Sequence, residues 1–251
     1  MAQGLSLVPG GGMARGPMAG DPGRAGFEQP VAQAIGRQWL LPGAETTGNV
    51  LTLAELFAAS PRDGGWAGFL LAQVDVTRPL LWVQERMAIL ESGRVYPPGM
   101  QFHDLIHVEA RDARTALWAM EEGLRCAAIG AVIGEIWGDP AGLDFTATRR
   151  LAVAAERHGV AAWLVRLGGQ ANLSGARRRW RVASAPSLAH PLNSRAPGAA
   201  VWDAELFRAR GATPGQWRLT HEAGSDRAAG GLHLVAAPGD RALGETERRA
   251  G

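Results

Sequence analysis

Ala131-Val-Ile-Gly-Glu-Ile136 is an apolar run carrying a single acid, and the residues after it decide the fold. Asp144 stands directly before a helical pattern that reaches His158, and Gly159 follows as its stop. Ala161-Ala-Trp-Leu-Val165 is then a second apolar run. A carboxylate in front of an apolar stripe can accept the first free amides of a helix. Arg157 and His158 occupy the last turn, where the helix dipole favours positive charge. Apolar strands with no polar face, joined through a helix, imply parallel strands covered on both sides.

The alternation extends to the N-terminal side. Val50 to Leu56 is a strand pattern, and Trp66 to Gln73 a short helix. Leu80 to Val83 and Leu105 to Val108 are further apolar runs. Asp112 is placed to cap a helix over Ala113 to Cys126, with Leu117, Met120 and Leu124 on one buried face. Glu121 and Arg125 form an i, i+4 pair in the favourable order. After Val165 the helices stop. Trp180 to Ala185, Trp202 to Arg208 and Gln216 to His221 read as strands, with Thr213-Pro-Gly215 turning between the last two. The expected class is α/β: a mostly parallel sheet with helices on both faces, extended by C-terminal antiparallel strands.

Composition frames this core. Residues 1–26 are dominated by Gly, Pro, Met and Ala and are expected to be a disordered tail. The domain is expected over 27–223, and 224–251 as a flexible tail with a short strand at Leu232 to Val235. No apolar run is long enough to span a membrane, and the N-terminus lacks a signal-peptide pattern. The lone cysteine, Cys126, allows no internal disulfide and reads as a small buried residue in a protein of the reducing cytoplasm. The net charge is only +2, so nucleic-acid binding would need a local patch rather than the whole-chain field. All 26 basic side chains are arginine, and the chain has no lysine.

Several segments, in order, resemble a known family. They are Leu80-Leu-Trp-Val-Gln-Glu85, Ser92-Gly-Arg-Val-Tyr-Pro-Pro-Gly-Met100, Ala116-Leu-Trp-Ala-Met-Glu-Glu-Gly-Leu-Arg125, Phe145-Thr-Ala-Thr-Arg-Arg-Leu151 and Arg179-Trp-Arg-Val182. Glu205-Leu-Phe-Arg-Ala-Arg-Gly211 leading to Pro214-Gly-Gln-Trp217 completes the set. Together they resemble ImuA, the RecA-like accessory proteins of bacterial damage-induced mutagenesis cassettes, over about residues 48–222. The resemblance implies a RecA-like core. It also implies work alongside ImuB, an inactive Y-family polymerase relative, and an error-prone polymerase III alpha-type subunit. It places the protein in the cytoplasm, at damaged DNA in the nucleoid, during the SOS response. DNA and RecA are further partners it brings into view, and no membrane.

In such cores the loop after the first strand cradles phosphates, with a lysine on the β- and γ-phosphates. Here that loop is Ser60-Pro-Arg-Asp-Gly-Gly-Trp66. Gly64 and Gly65 remain, but the lysine and the magnesium-holding hydroxyl are absent. Asp63 puts a carboxylate where phosphate would sit; at ~4 Å and an effective dielectric near 20, the repulsion is roughly 4 kcal/mol per unit charge. Arg62 is nearby, yet a guanidinium does not replace a compact ammonium in such a nest. The expectation is no hydrolysis, no bound nucleotide and no other cofactor, hence not an enzyme. The rival readings are a divergent ATPase completed by partner or DNA, and a RecA-regulating or division-inhibitor-like binding protein.

Glu85 and Glu135 lie where the resemblance would put the water-polarising and magnesium-coordinating acids. Without phosphate they read as strand-end acids paired with arginine or water. Gly175-Ala-Arg-Arg-Arg-Trp-Arg181 is the densest basic segment. Arg177, Arg178, Arg179, Trp180 and Arg181 could hold phosphates and stack a base, could pair with a protein partner, or could be a solvated turn leading into the core. The preceding loop, Gly168 to Ala176, reads as mobile. His103 and His107 have helical spacing on a strand candidate, so no metal site is expected. Of the tryptophans, Trp66, Trp118, Trp163, Trp202 and Trp217 read as core, and Trp137 as the one suited to an exposed contact.

Overall fold

The computed structural model describes residues 52–74, 77–97, 104–193, 195–211, 213–222 and 231–236. The tail expected at 1–26 and His103 lie outside them.

Nine strands form one sheet in the order β3-β2-β4-β5-β1-β6-β7-β8-β9. β1 is Leu53–Ala58, β2 Leu80–Glu85, β3 Leu105–Ala110, β4 Ala131–Trp137 and β5 Ala161–Leu167. β6 is Arg178–Ala185, β7 Val201–Ala209, β8 Gly215–Glu222 and β9 Gly231–Ala236. The first six strands are parallel, and β7, β8 and β9 add on antiparallel. The strand expected at Leu232 to Val235 is therefore β9, paired with β8.

Among the described residues four helices cover the two faces. α1 (Gly65–Leu71) and α2 (Arg86–Ser92) lie on one face, and α3 (Ala113–Leu124) and α4 (Phe145–His158) on the other. Period-two alternation sorts the strand residues between two cores. Trp82, Ile133, Val165, Trp180 and Trp202 pack with Trp66 and Phe69 under α1. Leu81, Val132 and Leu164 pack with Met120, Leu124 and Leu151 under α3 and α4. This order, with both faces covered, is the RecA-like core.

Local signals explain the helices. Asp112 caps α3, its side chain accepting the Thr115 amide at 2.8 Å. Asp144 caps α4 through the Ala147 amide at 2.7 Å, and Gly159 ends it at φ 64°. α2 was not legible: it is one short segment with a single buried residue, Ala88, and no side-chain cap.

Three expectations need correction. Trp118 is 60% exposed, because it lies off the stripe of Ala113, Ala116, Leu117, Met120 and Leu124 that α3 buries. Cys126 is exposed in the turn after α3, past the end of the buried face. β6 is not part of the antiparallel extension, since it lies parallel to β1, pairing Leu56 with Trp180.

Candidate functional site

The loop before α1 folds around its own acid. Asp63 accepts the Gly65 amide at 2.9 Å and the Ser184 amide, from β6, at 2.7 Å. The Ser184 hydroxyl donates to it as well. Burial works against the Asp63 carboxylate, but these three donors outweigh it and hold its pKa below the usual range. Gly65 approaches β6 so closely that a Cβ there would lie 2.2 Å from the Ser184 hydroxyl oxygen. The Gly65 amide of the loop and the Ser184 amide of β6 are thus engaged by a carboxylate of the chain itself. α1 is only seven residues long, and no side chain caps its N-terminus at Gly64. Arg62 is exposed and makes no side-chain ion pair among the described residues.

Beside this loop lies a cleft of about 320 Å³, walled by Arg62, Asp63, Trp66, Arg94 and Val95. At its base are Trp82, Gln84 and Glu135. Glu135 is 3% exposed. It accepts the Trp82 indole N–H, and the Gln84 amide at 3.0 Å. Burial pushes its carboxyl up to about 7, against the pull of those two bonds. Gln84 continues the chain of bonds: its Oε1 accepts the Val95 amide at 2.9 Å and lies 3.0 Å from His107 Nε2. Burial, then Arg94, lowers the pKa of His107, with Glu109 opposing. Glu85 is also buried and accepts the Trp137 amide at 3.0 Å, tying β2 to the end of β4. Among the described residues neither acid pairs with arginine, one of the two partners expected; each is held by neutral donors from the neighbouring strand. Gln84 and His107 were missed, because only the β2–β3 register, which pairs Trp82 with His107, brings them together.

The basic segment is divided by the sheet. Arg178 opens β6, so the side chains that follow alternate between faces. Arg179 and Trp180 are 3% and 1% exposed. Both are interior groups and do not meet a ligand at the surface. Arg179 donates to the fully buried Glu55 at 2.7 Å, and its guanidinium lies 5.3 Å from the ring centres of both Phe57 and Phe207. Arg166 approaches the same Glu55 at 3.9 Å and bonds Asp139. Arg177 makes a bidentate pair with Glu156 at 2.6 and 3.1 Å. Arg181 pairs with Glu205. Arg178 is half-buried, with no ion pair among the described residues, and burial lowers its pKa.

The loop expected to be mobile is tied down. Asp139 accepts the Gln170 amide at 3.0 Å, and the Thr148 hydroxyl accepts the Gly175 amide at 2.9 Å. Trp137, expected to be exposed, is partly buried against the core beneath α1. Among the described residues no three His, Cys, Asp or Glu side chains gather as a metal site would require. No described helix is long and apolar enough to cross a membrane.

Comparison with curated proteins decides the family. The chain is 33% identical over 183 residues to Protein ImuA of Caulobacter vibrioides strain NA1000 / CB15N, covering 68% of this chain and 72% of that protein. Protein ImuA of the Caulobacter vibrioides strain ATCC 19089 matches to the same extent. The chain belongs to the ImuA family. No protein-family model matches it. As an ImuA-family member it combines a RecA-like sheet with a loop whose Asp63 accepts the Gly65 and Ser184 amides, and a buried Glu135 in β4 whose carboxyl burial pushes up to about 7.

Proposed function

We propose that this protein is a non-catalytic RecA-like component of a damage-induced mutagenesis cassette. It acts with ImuB and, through ImuB, with an error-prone polymerase in translesion synthesis. Family membership supports the cassette. The absence of catalysis is supported chiefly by one observation: Asp63 takes the Gly65 and Ser184 amides that line the loop.

The donor set does not fit a triphosphate. A phosphate entering here would displace a carboxylate satisfied by three donors, and no lysine exists anywhere in the chain to hold it. Glu135 is unsuited to magnesium, since a carboxyl with a pKa near 7 and two neutral donors is largely unionised below that pH. Glu85 is engaged by a backbone amide rather than aimed at a water. What remains is a sheet with exposed side surfaces, including Trp118 on α3 and Leu90 on α2, suited to contacts with partners.

The test is co-expression of the full chain with ImuB, followed by co-purification and a radiolabelled-ATP assay on the complex. The expected result is a stable complex with no turnover above background. Failure to co-purify, or turnover abolished by Glu85→Gln, would contradict the reading.

A further inference from the structure

We propose that the outer flank of α4, together with the adjoining ends of β6 and β7, binds the phosphate backbone of single-stranded nucleic acid. This goes beyond the adaptor reading and does not depend on the loop at Asp63 being closed.

Two clefts, of about 690 and 620 Å³, flank α4 and share Arg149 and Val153 as a common wall. Seven arginines line them against one acid, Glu121. The whole chain carries a net charge of only +2, so positive charge is gathered here rather than spread evenly. Three of these arginines are engaged. Arg125 and Arg150 pair with Glu121, and Arg177 with Glu156. Arg149, Arg157 and Arg208 are exposed, and their side chains have no hydrogen bond or ion pair among the described residues. Arg210, also exposed, acts on Glu156 through space without reaching ion-pair distance. Exposed cations without an internal partner are free to neutralise phosphate.

The fold builds a track from these residues. Arg149 and Arg157 are eight residues apart, a little over two helical turns, so they project about 80° apart on one face of α4. The loop before β6 runs beside that edge, with Gly175 bonded to Thr148; a Cβ at 175 would lie 2.6 Å from the Arg149 Cα. The Arg210 amide donates to the Arg177 carbonyl at 2.8 Å, which brings the end of β7 alongside. From Phe145 to Arg157 the helix rises ~18 Å, long enough to run beside several phosphates of one strand.

Charge alone would also suit an acidic peptide. The apolar groups of the track favour nucleic acid. Phe145 is 40% exposed in the same cleft as the unpaired Arg149, and Val153 is 50% exposed between the two clefts. An accessible aromatic ring beside free guanidinium groups is the pairing that stacks bases while gripping their backbone, and it requires an unpaired strand. The surface differs from the basic segment Gly175–Arg181, of whose arginines only Arg177 contributes to it.

Fluorescence anisotropy of a labelled oligothymidylate of about 15 nucleotides, titrated with the full chain over a salt series, tests this. Binding is expected with a log–log salt slope between about −2 and −3, as three or four neutralised phosphates on a single strand require. Arg149→Glu combined with Arg208→Glu should weaken it at least tenfold and flatten the slope, with the urea midpoint unchanged. Arg62→Glu, at the closed loop, should leave it unaltered. Phe145→Ala should weaken binding about fivefold or more. Absence of oligonucleotide binding, or equal binding by the double variant, overturns the proposal. So does competition by polyglutamate at equal charge, which would mark an acidic protein partner. Indifference to Phe145→Ala would remove the stacking and with it the single-strand assignment. None of these readouts involves ImuB or ATP, so their failure is distinguishable from failure of the adaptor reading.

Discussion

The loop Ser60–Trp66 and the outer flank of α4 are both places where phosphate chemistry is expected, and they hold their charges in opposite ways. In the loop, a carboxylate bonds the amides from inside, through Gly65 and Ser184. On the flank, Arg149, Arg157 and Arg208 are exposed and unpaired among the described residues. On the reading proposed above, the RecA-like frame persists while the groups suited to phosphate lie elsewhere on its surface. The arginines of β6 show why density of charge along a sequence is a poor guide. In a strand, neighbours face opposite ways, so Arg179 is drawn into a buried pair with Glu55. On α4, Arg149 and Arg157, a little over two turns apart, share one broad face and both stay exposed.

The largest effect separates these two kinds of arginine. Arg179→Met leaves Glu55 fully buried with only Arg166, at 3.9 Å, as a partner. Losing one member of a buried pair costs about 3–5 kcal/mol, whereas Arg157→Ala at an exposed site should stay within ~0.5 kcal/mol. Urea denaturation of both variants measures the difference. Equal stabilities would erase the distinction between interior and surface arginines.

The next effect concerns the cleft beside the loop. In the unfolded chain Glu135 loses its proton near the ordinary glutamate pKa; in the folded protein it keeps the proton up to about 7. Between those values the folded state binds more protons, so stability falls as pH rises from about 4.5 to 7 and is level above. The span corresponds to a change on the order of 3 kcal/mol from this group. Glu135→Gln should remove that slope, seen as a flatter dependence of the urea midpoint between about pH 5 and 8. Asp63 acts in the opposite sense: its lowered pKa stabilises the fold above the ordinary aspartate range, and that stability is lost on acidification. A slope unchanged by Glu135→Gln would show that the carboxyl is not held protonated.

Much of this was legible in the sequence, for reasons that are local. The caps at Asp112 and Asp144, the stop at Gly159 and the apolar runs of β2, β4 and β5 each follow from a few adjacent residues. The missing lysine and the acid at position 63 were visible too, although the partner of Asp63 was not. Ser184 lies 121 residues away and is brought in by β6 pairing with β1. The same long-range pairing hid the fate of Arg179 and Trp180. A strand that follows another strand with no helix between reads as antiparallel, yet β6 returns parallel to β1 across a long loop. That loop looked mobile from its Gly, Asn and Ser content, while its anchors, Asp139 and Thr148, belong to other segments. The flank of α4 was hidden in a similar way: Arg208 and Arg210 join Arg149 only once β7 lies beside the loop before β6.

The loss of nucleotide binding, as proposed, comes from Asp63 filling the phosphate cradle. Isothermal titration of the full-length chain with ATP and magnesium tests this directly. The predicted result is no saturable heat up to about millimolar nucleotide, corresponding to binding weaker than ~4 kcal/mol. Magnesium-dependent uptake with a micromolar Kd, lost on Gly65→Ala, would contradict it.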